Sequence, residues 1–516
     1  MKKLSIGIQS FSNLRRGDYL YVDKTADIHQ IVTSGRIYFL SRPRRFGKSL
    51  LISTLEELFA GNKELFEGLY IYDKWDWTQR YPVIRIDWTD IKHFSKEEME
   101  ISLSMFLKHQ ANKYGVQLTS KYASDCFREL IDTLCQTTRQ PVVILIDEYD
   151  VPILDAIGKP EMDGVREFLQ DFYRKLKSND NYLKFIFLTG ISKFSKVSIF
   201  SVLNSTNDIT MNEKYVSLCG YTQVELEYYF AEYIDAVAER YRLTKEDLLT
   251  KIRNWYDGYS WDGETSVYNP FSTLLFFENQ KFSNYWFSSG TPTFLMELFK
   301  KRNDLRVLLH PVHTSSSAFE SWDPDLITEI PLLFQTGYLT VKGQEIVDLE
   351  PEYTLDMPNR EVRTSMQKHL LFAYTSYPLE DVDNLRKTMQ RQILLNDAAG
   401  LEDSLRQMLA YVPYQIDGKS EAYYHSIFLI WMSMLGFNIQ GEIPTNRGRI
   451  DAVWEQAGTV VVAELKYGAG KQTEALLDEA LAQIRDRRYY EKYREATLLA
   501  IAFNGKEVAC RIDVTN

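Results

Sequence analysis

The sequence contains few cysteines, and their positions exclude two classes of small stabilised domain. There are four, at positions 126, 135, 219 and 510, with no CxxC pair and no histidines nearby at ligand spacing. A disulfide framework needs several cysteines close together, and a structural zinc site needs clustered Cys or His ligands. The sequence therefore predicts neither, and a reducing compartment fits it best.

Long apolar runs are also missing. The longest, residues 427–437, is about half the length needed to span a membrane, and it contains Ser433. The amino terminus has Lys2 and Lys3 but no apolar core behind them, which argues against a secretory signal. We therefore expect a cytoplasmic protein that does not act at a membrane.

The chain has no excess of positive charge. Lys and Arg together number 60 and Asp and Glu 71, which gives a formal net charge of -11. A bound polyanion would have to be held by local basic patches, because the overall field repels it. The acidic balance does not by itself exclude nucleic acid.

The composition is that of an ordinary globular protein. Of the 516 residues, 45% are hydrophobic and 25% are charged. This length allows about three to four domains. No internal repeat or low-complexity segment divides the chain, so the divisions must follow local pattern.

The pattern predicts an α/β multidomain protein. Its first part, 1–215, alternates β-branched runs with helix-like segments (51–59 and 164–177), which indicates a mostly parallel sheet flanked by helices. The runs are 36–40, 82–87, 142–146 and 184–189. We then expect a helical lid at 216–310, a winged-helix-like module at 311–370 with β-like runs at 334–340 and 353–355, a helical linker at 371–404, and a second α/β domain at 405–516. That domain reads as helix, hairpin, helix and strand at 421–435, 449–466, 473–494 and 497–503.

The strand at 36–40 runs into a loop and then a helix-like segment, which is the context of a phosphate-binding P-loop. Gly47 would let backbone N–H groups approach phosphate oxygens, Lys48 would reach the β- and γ-phosphates, and Ser49 would ligate Mg²⁺. Arg42 replaces the first glycine of the general GxxxxGK[ST] pattern. On these residues alone, a nucleotide site and a plain strand-loop-helix turn both stay open.

A second element favours the nucleotide site. The apolar strand at 142–146 ends in Asp147 and Glu148. In a P-loop ATPase the first carboxylate holds Mg²⁺ through water and the second polarises the attacking water. The next strand ends in Thr189, where a γ-phosphate sensor would lie, with Ser192 as a second candidate. The alternative is an α/β core whose acids cap helices.

Four segments resemble the signatures of the AAA-ATPase-like family of bacterial proteins: 21–25 (YVDKT), 42–49 (RPRRFGKS), 147–150 (DEYD) and 268–272 (YNPFS). The resemblance spans about residues 4–290. In that family the loop usually begins with arginine and proline, so Arg42 departs from the general motif and not from the family. The resemblance implies ATP, bound with Mg²⁺ by loop and strand-end residues: Arg44, Arg45, Phe46, Gly47, Lys48, Ser49, Asp147 and Thr189.

A hairpin near the carboxyl terminus carries a second set of chemistry-bearing residues. Glu464 and Lys466 are two apart on a strand and share a face. If the turn, at 455–458, places Trp454 opposite Thr459, then Asp451 is a diagonal neighbour of Glu464, with side chains about 7 to 8 Å apart. Two carboxylates and a lysine would converge.

Two carboxylates at this spacing call for a divalent cation, and oxygen ligands favour Mg²⁺ or Mn²⁺ over zinc. Asp451 and Glu464 would hold a metal that binds a scissile phosphate and lowers the pKa of a water. Lys466 would orient that water or stabilise the charge of the transition state. The alternative is a solvated strand face that carries a Glu-Lys pair.

This run resembles the PD-(D/E)xK nuclease superfamily, over about residues 405–510. The resemblance assigns the motif core to the three residues just named. It assigns an additional upstream acid, and with it a further metal ligand, to Glu421, and the polar residue of the following helix to Gln483. The motif's proline has no counterpart before Asp451. The presence of both halves in one chain is more specific than either motif.

Two further features of the sequence are weaker signals, and each allows two interpretations. A basic cluster interleaved with tyrosines lies on the helix predicted at 473–494 and either follows a phosphate backbone or forms a solvated face. Its members are Arg485, Arg487, Arg488, Lys492 and Arg494. An aromatic group is more typical of core packing than of a base-stacking platform, and consists of Trp255, Tyr256, Tyr259 and Trp261.

The sequence therefore predicts an ATPase whose nucleotide state controls a metal-dependent nuclease, acting on DNA in preference to RNA. ATP and Mg²⁺ are the expected cofactors, with Mn²⁺ as an alternative at the carboxyl-terminal site. The competing hypothesis is an ATP-dependent switch or scaffold whose nuclease fold docks nucleic acid or protein without hydrolysis. A homo-oligomer is compatible with both.

Overall fold

The structure, a computed structural model, describes the chain except residues 194–205, 287–310, 320–328, 376–378, 411–420, 438, 446–447, 457, 469, 492, 494–495, 505–506 and 515–516. The described residues form two compact units. One ends at Glu361, and the other begins at Val362. The domain boundaries inferred from the sequence within these units stay predictions.

Five parallel strands form the sheet of the first unit, in the order β2-β3-β4-β1-β5. Their bounds are β1 Ile37–Ser41, β2 Val83–Asp87, β3 Val142–Asp147, β4 Leu183–Gly190 and β5 Asn207–Asp208. Every residue of β1 and β3 is buried, as expected for strands that are covered on both faces. The four strands predicted for this region are confirmed, each to within one residue.

Among the described residues, two helices precede β1 and five connect the strands that follow. They are α1 Phe11–Arg16, α2 Thr25–Ser34, α3 Lys48–Ala60, α4 Lys96–Lys113, α5 Ala123–Thr138, α6 Val151–Ala156 and α7 Met162–Ser178. Because β1, β3 and β4 are parallel neighbours, their carboxyl ends meet at one edge of the sheet, where α3 begins. The fold therefore brings the loop after β1 next to the acids that follow β3.

Four helices continue the first unit: α8 Gln223–Tyr229, α9 Ala231–Tyr241, α10 Lys245–Tyr256 and α11 Pro270–Asn279. Their apolar faces form one core with the amino-terminal residues Leu4, Leu20 and Val22. This packing keeps the amino-terminal segment beside the helical region. The part of the predicted lid from 287 to 310 lies outside the described residues.

A three-stranded antiparallel sheet follows, in the order β6-β8-β7. Its elements are β6 Val312–Ser315, α12 Glu329–Thr336, β7 Thr340–Val347 and β8 Glu350–Asp356. The β-like run expected at 334–340 was wrong at its start, because Phe334 lies on the buried face of α12 and Gly337, at φ 89°, ends that helix. The winged-helix assignment stays a prediction.

The second unit contains a mixed sheet in the order β13-β12-β11-β10-β9, in which only the β11–β12 pair is parallel. The strands are β9 Gln440–Thr445, β10 Gly448–Gln456, β11 Thr459–Tyr467, β12 Ala496–Asn504 and β13 Glu507–Val514. The helices are α13 Arg360–Thr375, which begins at the end of the first unit, α14 Leu379–Leu394, α15 Ala398–Ala410, α16 Glu421–Met434 and α17 Thr473–Asp486. Sequence analysis did not predict β9 and β13.

The helix predicted at 473–494 was too long by eight residues, since α17 ends at Asp486. Arg488 adopts a φ of 50° and turns the chain, and Tyr489 enters the core between α17 and the sheet. Arg487 and Arg488 of the basic cluster therefore lie in a turn and not on a helical face. None of the helices among the described residues is long and apolar enough to cross a membrane.

Candidate active sites

The loop between β1 and α3 has the backbone of a phosphate cradle. Gly47 is the N-cap of α3 and adopts a φ of 92°, in the left-handed region that favours glycine. Space is open where a Cβ on Gly47 would lie. The exposed Arg45 also has a positive φ, 113°, so two of three successive residues curve the loop around the first turn of α3. Backbone N–H groups at such a helix start bind anions.

Arg42 anchors this loop. Its side chain is fully buried, and it donates hydrogen bonds to the carbonyls of Ser41 and Thr210, both at 2.9 Å, and of Tyr215 at 3.2 Å. The guanidinium also lies 3.8 Å from the centre of the Trp261 ring. Burial lowers the pKa of Arg42 to about 10, so it stays cationic at neutral pH. The residue that replaces the motif's first glycine thus has a structural role.

Phe46 points away from the cradle. It packs edge-on against Tyr259, with ring centres 4.8 Å apart, and against Trp261 at 5.7 Å. Both partners belong to the aromatic group noted in the sequence, and both are buried. This observation favours the packing interpretation of that group.

Lys48 lies at the centre of the site and is only 4% exposed. Its Nζ donates to the loop carbonyls of Arg42, at 3.1 Å, and Pro43, at 3.3 Å. It also lies 3.5 Å from Oε1 of Glu148, which has a positive φ of 49°. The lysine is therefore close enough to the loop to meet a phosphate and is already paired with the candidate catalytic acid.

Asp147 ends β3 as a fully buried carboxylate. Burial, reinforced by the charge of Glu148, raises its pKa to about 6, and the Ser49 hydroxyl and Lys48 act in the opposite direction. A hydroxyl and a carboxylate are thus adjacent. These are the oxygen ligands that Mg²⁺ takes in P-loop proteins, so this pair fits that ion.

The two sensor candidates have other partners. The Thr189 hydroxyl is buried and donates to the carbonyl of Leu40, 2.9 Å away, which joins β4 to β1. Ser192 donates through its backbone N–H, at 2.7 Å, and its hydroxyl, at 2.6 Å, to Asp150. Neither residue lines the cavity described next, and a sensor role for Thr189 stays a prediction.

A cavity of about 320 Å³ opens over the cradle. Five of the predicted residues line it: Arg44, Arg45, Gly47, Lys48 and Ser49, together with Glu148 from the strand end. Sequence analysis gave no role to the remaining walls, which come from Ser5, Gly7, Ile8, Gln9, Leu50, Thr89, Val151, Tyr221, Pro270, Phe271 and Leu274. The signal for Pro270 and Phe271 was present, since both lie in the YNPFS segment.

In the second unit, the predicted register of the hairpin was wrong by two residues. Gln456 pairs with Thr459, and Trp454 with Val461. The connection has two residues, the favoured length for a hairpin, whereas the prediction used four. A shift of two keeps the same face. The paired positions end at Ala452 and Ala463, so Asp451 and Glu464 are the next residue on each strand.

Asp451 and Glu464 occupy different environments on that face. Oδ2 of Asp451 accepts a hydrogen bond from the backbone N–H of Leu465, at 2.9 Å. Glu464 is fully buried, and its Oε2 has no hydrogen-bond partner among the described residues. A buried carboxylate oxygen without a donor is costly unless a cation occupies the position beside it.

Lys466 and Gln483 hold the other oxygen of Glu464. Nζ of Lys466 lies 3.1 Å from Oε1, and the Gln483 amide donates to the same atom. Lys466 is also 3.9 Å from Oε1 of Glu421, at the start of α16. The structure thus brings all five predicted residues of this site together.

His425 was not predicted at this site. One helical turn after Glu421, it forms a hydrogen bond between Nε2 and the carbonyl of Asp451, 2.8 Å long, which joins α16 to β10. The spacing of four residues on α16 was the available signal, because it puts both side chains on one face.

The charges at this site shift each other's pKa values. Burial, together with the charge of Asp451, raises the pKa of Glu464 to about 7. Burial opposes the charged form of Lys466, but Glu464 and Glu421 outweigh it and raise the pKa of Lys466. Among the described residues, no three Asp, Glu, His or Cys side chains converge as a metal centre. The unpaired Oε2 and the oxygen donors nevertheless fit a Mg²⁺ or Mn²⁺ ion held by two carboxylates.

Two of the three described members of the basic cluster are paired with acids. Arg485 forms an ion pair with Asp513, and Arg488 lies 2.9 Å from Glu491. Lys492 and Arg494 lie outside the described residues. This arrangement favours a solvated surface over a continuous phosphate-binding stripe.

Comparison with known proteins agrees with this geometry. A family model described as "Predicted AAA-ATPase" matches residues 5–200, and one described as "PD-(D/E)XK nuclease superfamily" matches residues 419–511. The chain is also 38% identical, over 502 residues, to an "Uncharacterized protein in vnfD 5'region" of Azotobacter chroococcum mcd 1. That match covers 96% of this chain and 94% of the relative. Both halves are therefore present in one homologous protein of similar length.

We predict that Arg42→Gly, which restores the general glycine pattern, destabilises the protein. The change removes three donors from buried carbonyls and leaves a cavity beside Trp261, so the free energy of unfolding should fall by about 3 kcal/mol. Urea unfolding measures this change in the free energy of unfolding. The exposed Arg44→Gly serves as the control and should shift the midpoint little. A midpoint equal to that of the parent would contradict the anchoring role.

We predict that Lys48→Ala weakens binding of a non-hydrolysable ATP analogue by about 10- to 100-fold, because a charge-assisted contact to phosphate is lost. Isothermal titration calorimetry is the measurement. Lys48 is buried, so thermal unfolding must be recorded in parallel. Lys96→Ala, which removes an exposed lysine of the same unit, should bind like the parent. Equal affinity in the Lys48 variant would rule out the P-loop assignment.

Proposed function

This chain belongs to the predicted AAA-ATPase family and carries a carboxyl-terminal domain of the PD-(D/E)XK nuclease superfamily, and from this premise we propose that it hydrolyses ATP and that its nucleotide state controls a metal-dependent nuclease acting on DNA. The observation that carries the proposal is the pairing, in one chain, of a phosphate cradle beside Lys48 and Glu148 with a buried Glu464 beside Asp451 and Lys466.

The cavity over the cradle supports ATP as the ligand. Its volume of about 320 Å³ lies within the range of small-molecule sites, and its floor is the anion-binding start of α3. Tyr221 and Phe271 provide aromatic surface on the walls, which suits a purine base. The charged and apolar ends of the cavity thus match the two ends of a nucleoside triphosphate.

Each residue of the cradle has a chemical task in this proposal. Lys48 exchanges the two loop carbonyls for the β- and γ-phosphates, and Ser49 and Asp147 hold Mg²⁺, which neutralises charge on the phosphates. Glu148 orients the attacking water and accepts its proton. We assign no arginine in the described part of the chain as a finger, so we expect a low basal rate that rises on oligomerisation or substrate binding.

In the carboxyl-terminal site, Asp451 and Glu464 would hold Mg²⁺ or Mn²⁺, with Glu421 as a further ligand. The metal would bind the scissile phosphate and favour the hydroxide form of a water. Lys466 would position that water or offset charge on the phosphate, and Gln483 fixes the Glu464 carboxylate through its amide. The reaction class is hydrolysis of a phosphodiester bond.

A second candidate function is an ATP-dependent scaffold with a non-hydrolysing nuclease fold. The observation in its favour is that no group of three ligating side chains converges among the described residues. Incubation with plasmid DNA, single-stranded DNA and RNA, with and without ATP and with Mg²⁺ or Mn²⁺, separates the two. If none of these substrates is cleaved under any condition, the scaffold function replaces the nuclease.

We predict that Glu148→Gln keeps nucleotide affinity and slows ATP hydrolysis by about 100-fold or more, because an amide accepts a hydrogen bond from water but cannot take its proton. A phosphate-release assay measures turnover. Glu167→Gln, an exposed carboxylate of the same unit, should hydrolyse ATP like the parent. Unchanged turnover in the Glu148 variant would exclude it as the base.

We predict that Asp451→Ala abolishes cleavage and leaves ATP hydrolysis largely intact, since loss of one carboxylate removes the ion and its activated water together. Asp451→Asn tests the same charge more cleanly, because an amide oxygen still accepts the Leu465 N–H bond. Both variants should lower the cleavage rate by about 100-fold or more.

Asp478→Asn is the matched control for this prediction, because Asp478 is an exposed carboxylate of the second unit and pairs with Arg511. DNA binding, followed by gel shift, should survive in the Asp451 variants, since basic residues supply the phosphate contacts. If Asp451→Asn cleaves as fast as the parent, the active site lies elsewhere.

A further inference from the structure

Two hydrogen bonds join the phosphate loop to the end of the first compact unit. The indole Nε1 of Trp286 donates to the carbonyl of Arg44, 2.9 Å away. The backbone N–H of Trp286 donates to Oε1 of Glu361, at 2.7 Å. Trp286 is 6% exposed and Glu361 is fully buried. Trp286 therefore contacts the loop through its side chain and Glu361 through its backbone.

Glu361 also contacts a wall of the nucleotide cavity. The Ser272 hydroxyl and the backbone of Tyr285 lie near enough to its carboxylate to lower its pKa. Ser272 directly follows Phe271, which lines the cavity. Burial nevertheless raises the pKa of Glu361 to about 7, because these donors only partly replace water. A carboxylate kept in such a place at a cost in stability points to a functional constraint.

The position of Glu361 in the chain connects these contacts with the second unit. It is the second residue of α13, and the division between the two units falls directly after it. Asp451 and Glu464 follow in the second unit. A change at the start of α13 therefore reaches that unit through the covalent chain.

The loop contains the element that a nucleotide would change. Nζ of Lys48 is held by the carbonyls of Arg42 and Pro43, and the phosphates of ATP would attract the same ammonium group. The carbonyl of Arg44, the next in the loop, is the one that accepts from Trp286. Withdrawal of Lys48 thus alters the backbone on which the Trp286 bond depends.

The Trp286 ring is too confined to follow the loop by rotating alone. Its centre lies 5.3 Å from the Tyr338 ring and 6.3 Å from the Tyr259 ring. Pro43 packs tightly against Gly337. A Cβ added to Gly337 would lie 2.7 Å from the Pro43 side chain. Displacement of the loop is therefore expected to move the Trp286 backbone and, with it, the N–H that Glu361 accepts.

We propose that Trp286 and Glu361 are positioning residues that relay the nucleotide state of the phosphate loop to the start of α13, and through it to the carboxyl-terminal active site. The relay rests on the proposed function, because it needs a nucleotide that binds the loop. It identifies the bonds by which that nucleotide controls the second unit. Neither residue takes part in ATP chemistry or phosphodiester cleavage.

Trp286→Phe tests the relay, because it removes the indole N–H and keeps an aromatic ring against Tyr338. Amide hydrogen exchange of α13 is measured with and without a non-hydrolysable ATP analogue, in parallel with calorimetric binding of that analogue. In the parent we expect bound nucleotide to change the exchange rates of α13 by about fivefold or more, equivalent to one hydrogen bond of typical strength. In Trp286→Phe the change should disappear while the analogue still binds.

Trp77→Phe is the matched control. Nε1 of Trp77 donates to the carbonyl of Tyr72, at 2.7 Å, so this variant loses the same kind of bond within the same unit. It should keep the full response of α13. Cleavage rates with and without the analogue form the second readout, and the ratio of the two should approach one in Trp286→Phe only.

The outcomes distinguish the relay from the function on which it rests. An analogue that fails to bind the parent overturns both. An analogue that binds the parent without changing α13, or changes it equally in Trp286→Phe, overturns the relay alone. If the nucleotide analogue changes the hydrogen exchange of α13 in a protein that cleaves no nucleic acid, the relay is supported and the nuclease function is refuted.

Glu361→Gln keeps the experiment decisive if the tryptophan variant unfolds. Oε1 of Glu361 accepts the Trp286 N–H, and an amide in its place can present a donor instead of an acceptor. The response of α13 should therefore fall in Glu361→Gln with nucleotide affinity retained. A full response in this variant would overturn the role of Glu361.

Discussion

The buried guanidinium of Arg42 is the interaction on which the amino-terminal site depends. A P-loop with a leading glycine relies on backbone freedom at that position, whereas here a cation is bonded to the carbonyls of Thr210 and Tyr215 and lies against Trp261. Phe46 adds a second anchor in the same aromatic core. With both ends of the loop fixed, its middle can present Arg44, Arg45 and the start of α3 to a ligand without further support.

Buried carboxylates mark the places where the fold departs from the most stable arrangement. Asp147, Glu361 and Glu464 are all fully buried, and burial raises the pKa of each. A structural core would replace such groups by apolar ones, since an incompletely paired buried charge lowers stability. Asp147 ends β3 and Glu464 lies within β11, both at predicted active sites, and Glu361 lies in the first turn of the helix that enters the second unit. Such a distribution is expected if these carboxylates were selected for function at a cost in stability.

The two units differ in how they bring acids together. In the parallel sheet, charged residues converge because neighbouring strands end at the same edge. Lys48 and Glu148, about 100 positions apart along the chain, therefore become partners. In the mixed sheet, acids converge because Asp451 and Glu464 directly adjoin the last paired positions of a hairpin, Ala452 and Ala463. Helices then add residues that no strand could supply, such as Gln483 and His425. Both solutions use a rigid sheet to keep like charges at a distance that a cation can bridge.

The sequence by itself determined the α/β class and the strands of the first sheet, because buried strands read as apolar runs. It predicted residues of both candidate sites, because chemistry-bearing residues lie on such strands or directly after them. It also predicted the face shared by Asp451, Glu464 and Lys466. A register error of two residues leaves each side chain on the same face, because side chains alternate with a period of two. Only the tertiary structure decided the register itself, because the length of a hairpin connection is not fixed by alternation. Likewise, only the fold could show that Arg42 anchors the loop, that Thr189 bonds to a neighbouring strand, and that Phe271 and Trp286 lie beside the loop. Those contacts join residues from 149 to 242 positions apart, and local pattern carries no information on such distances.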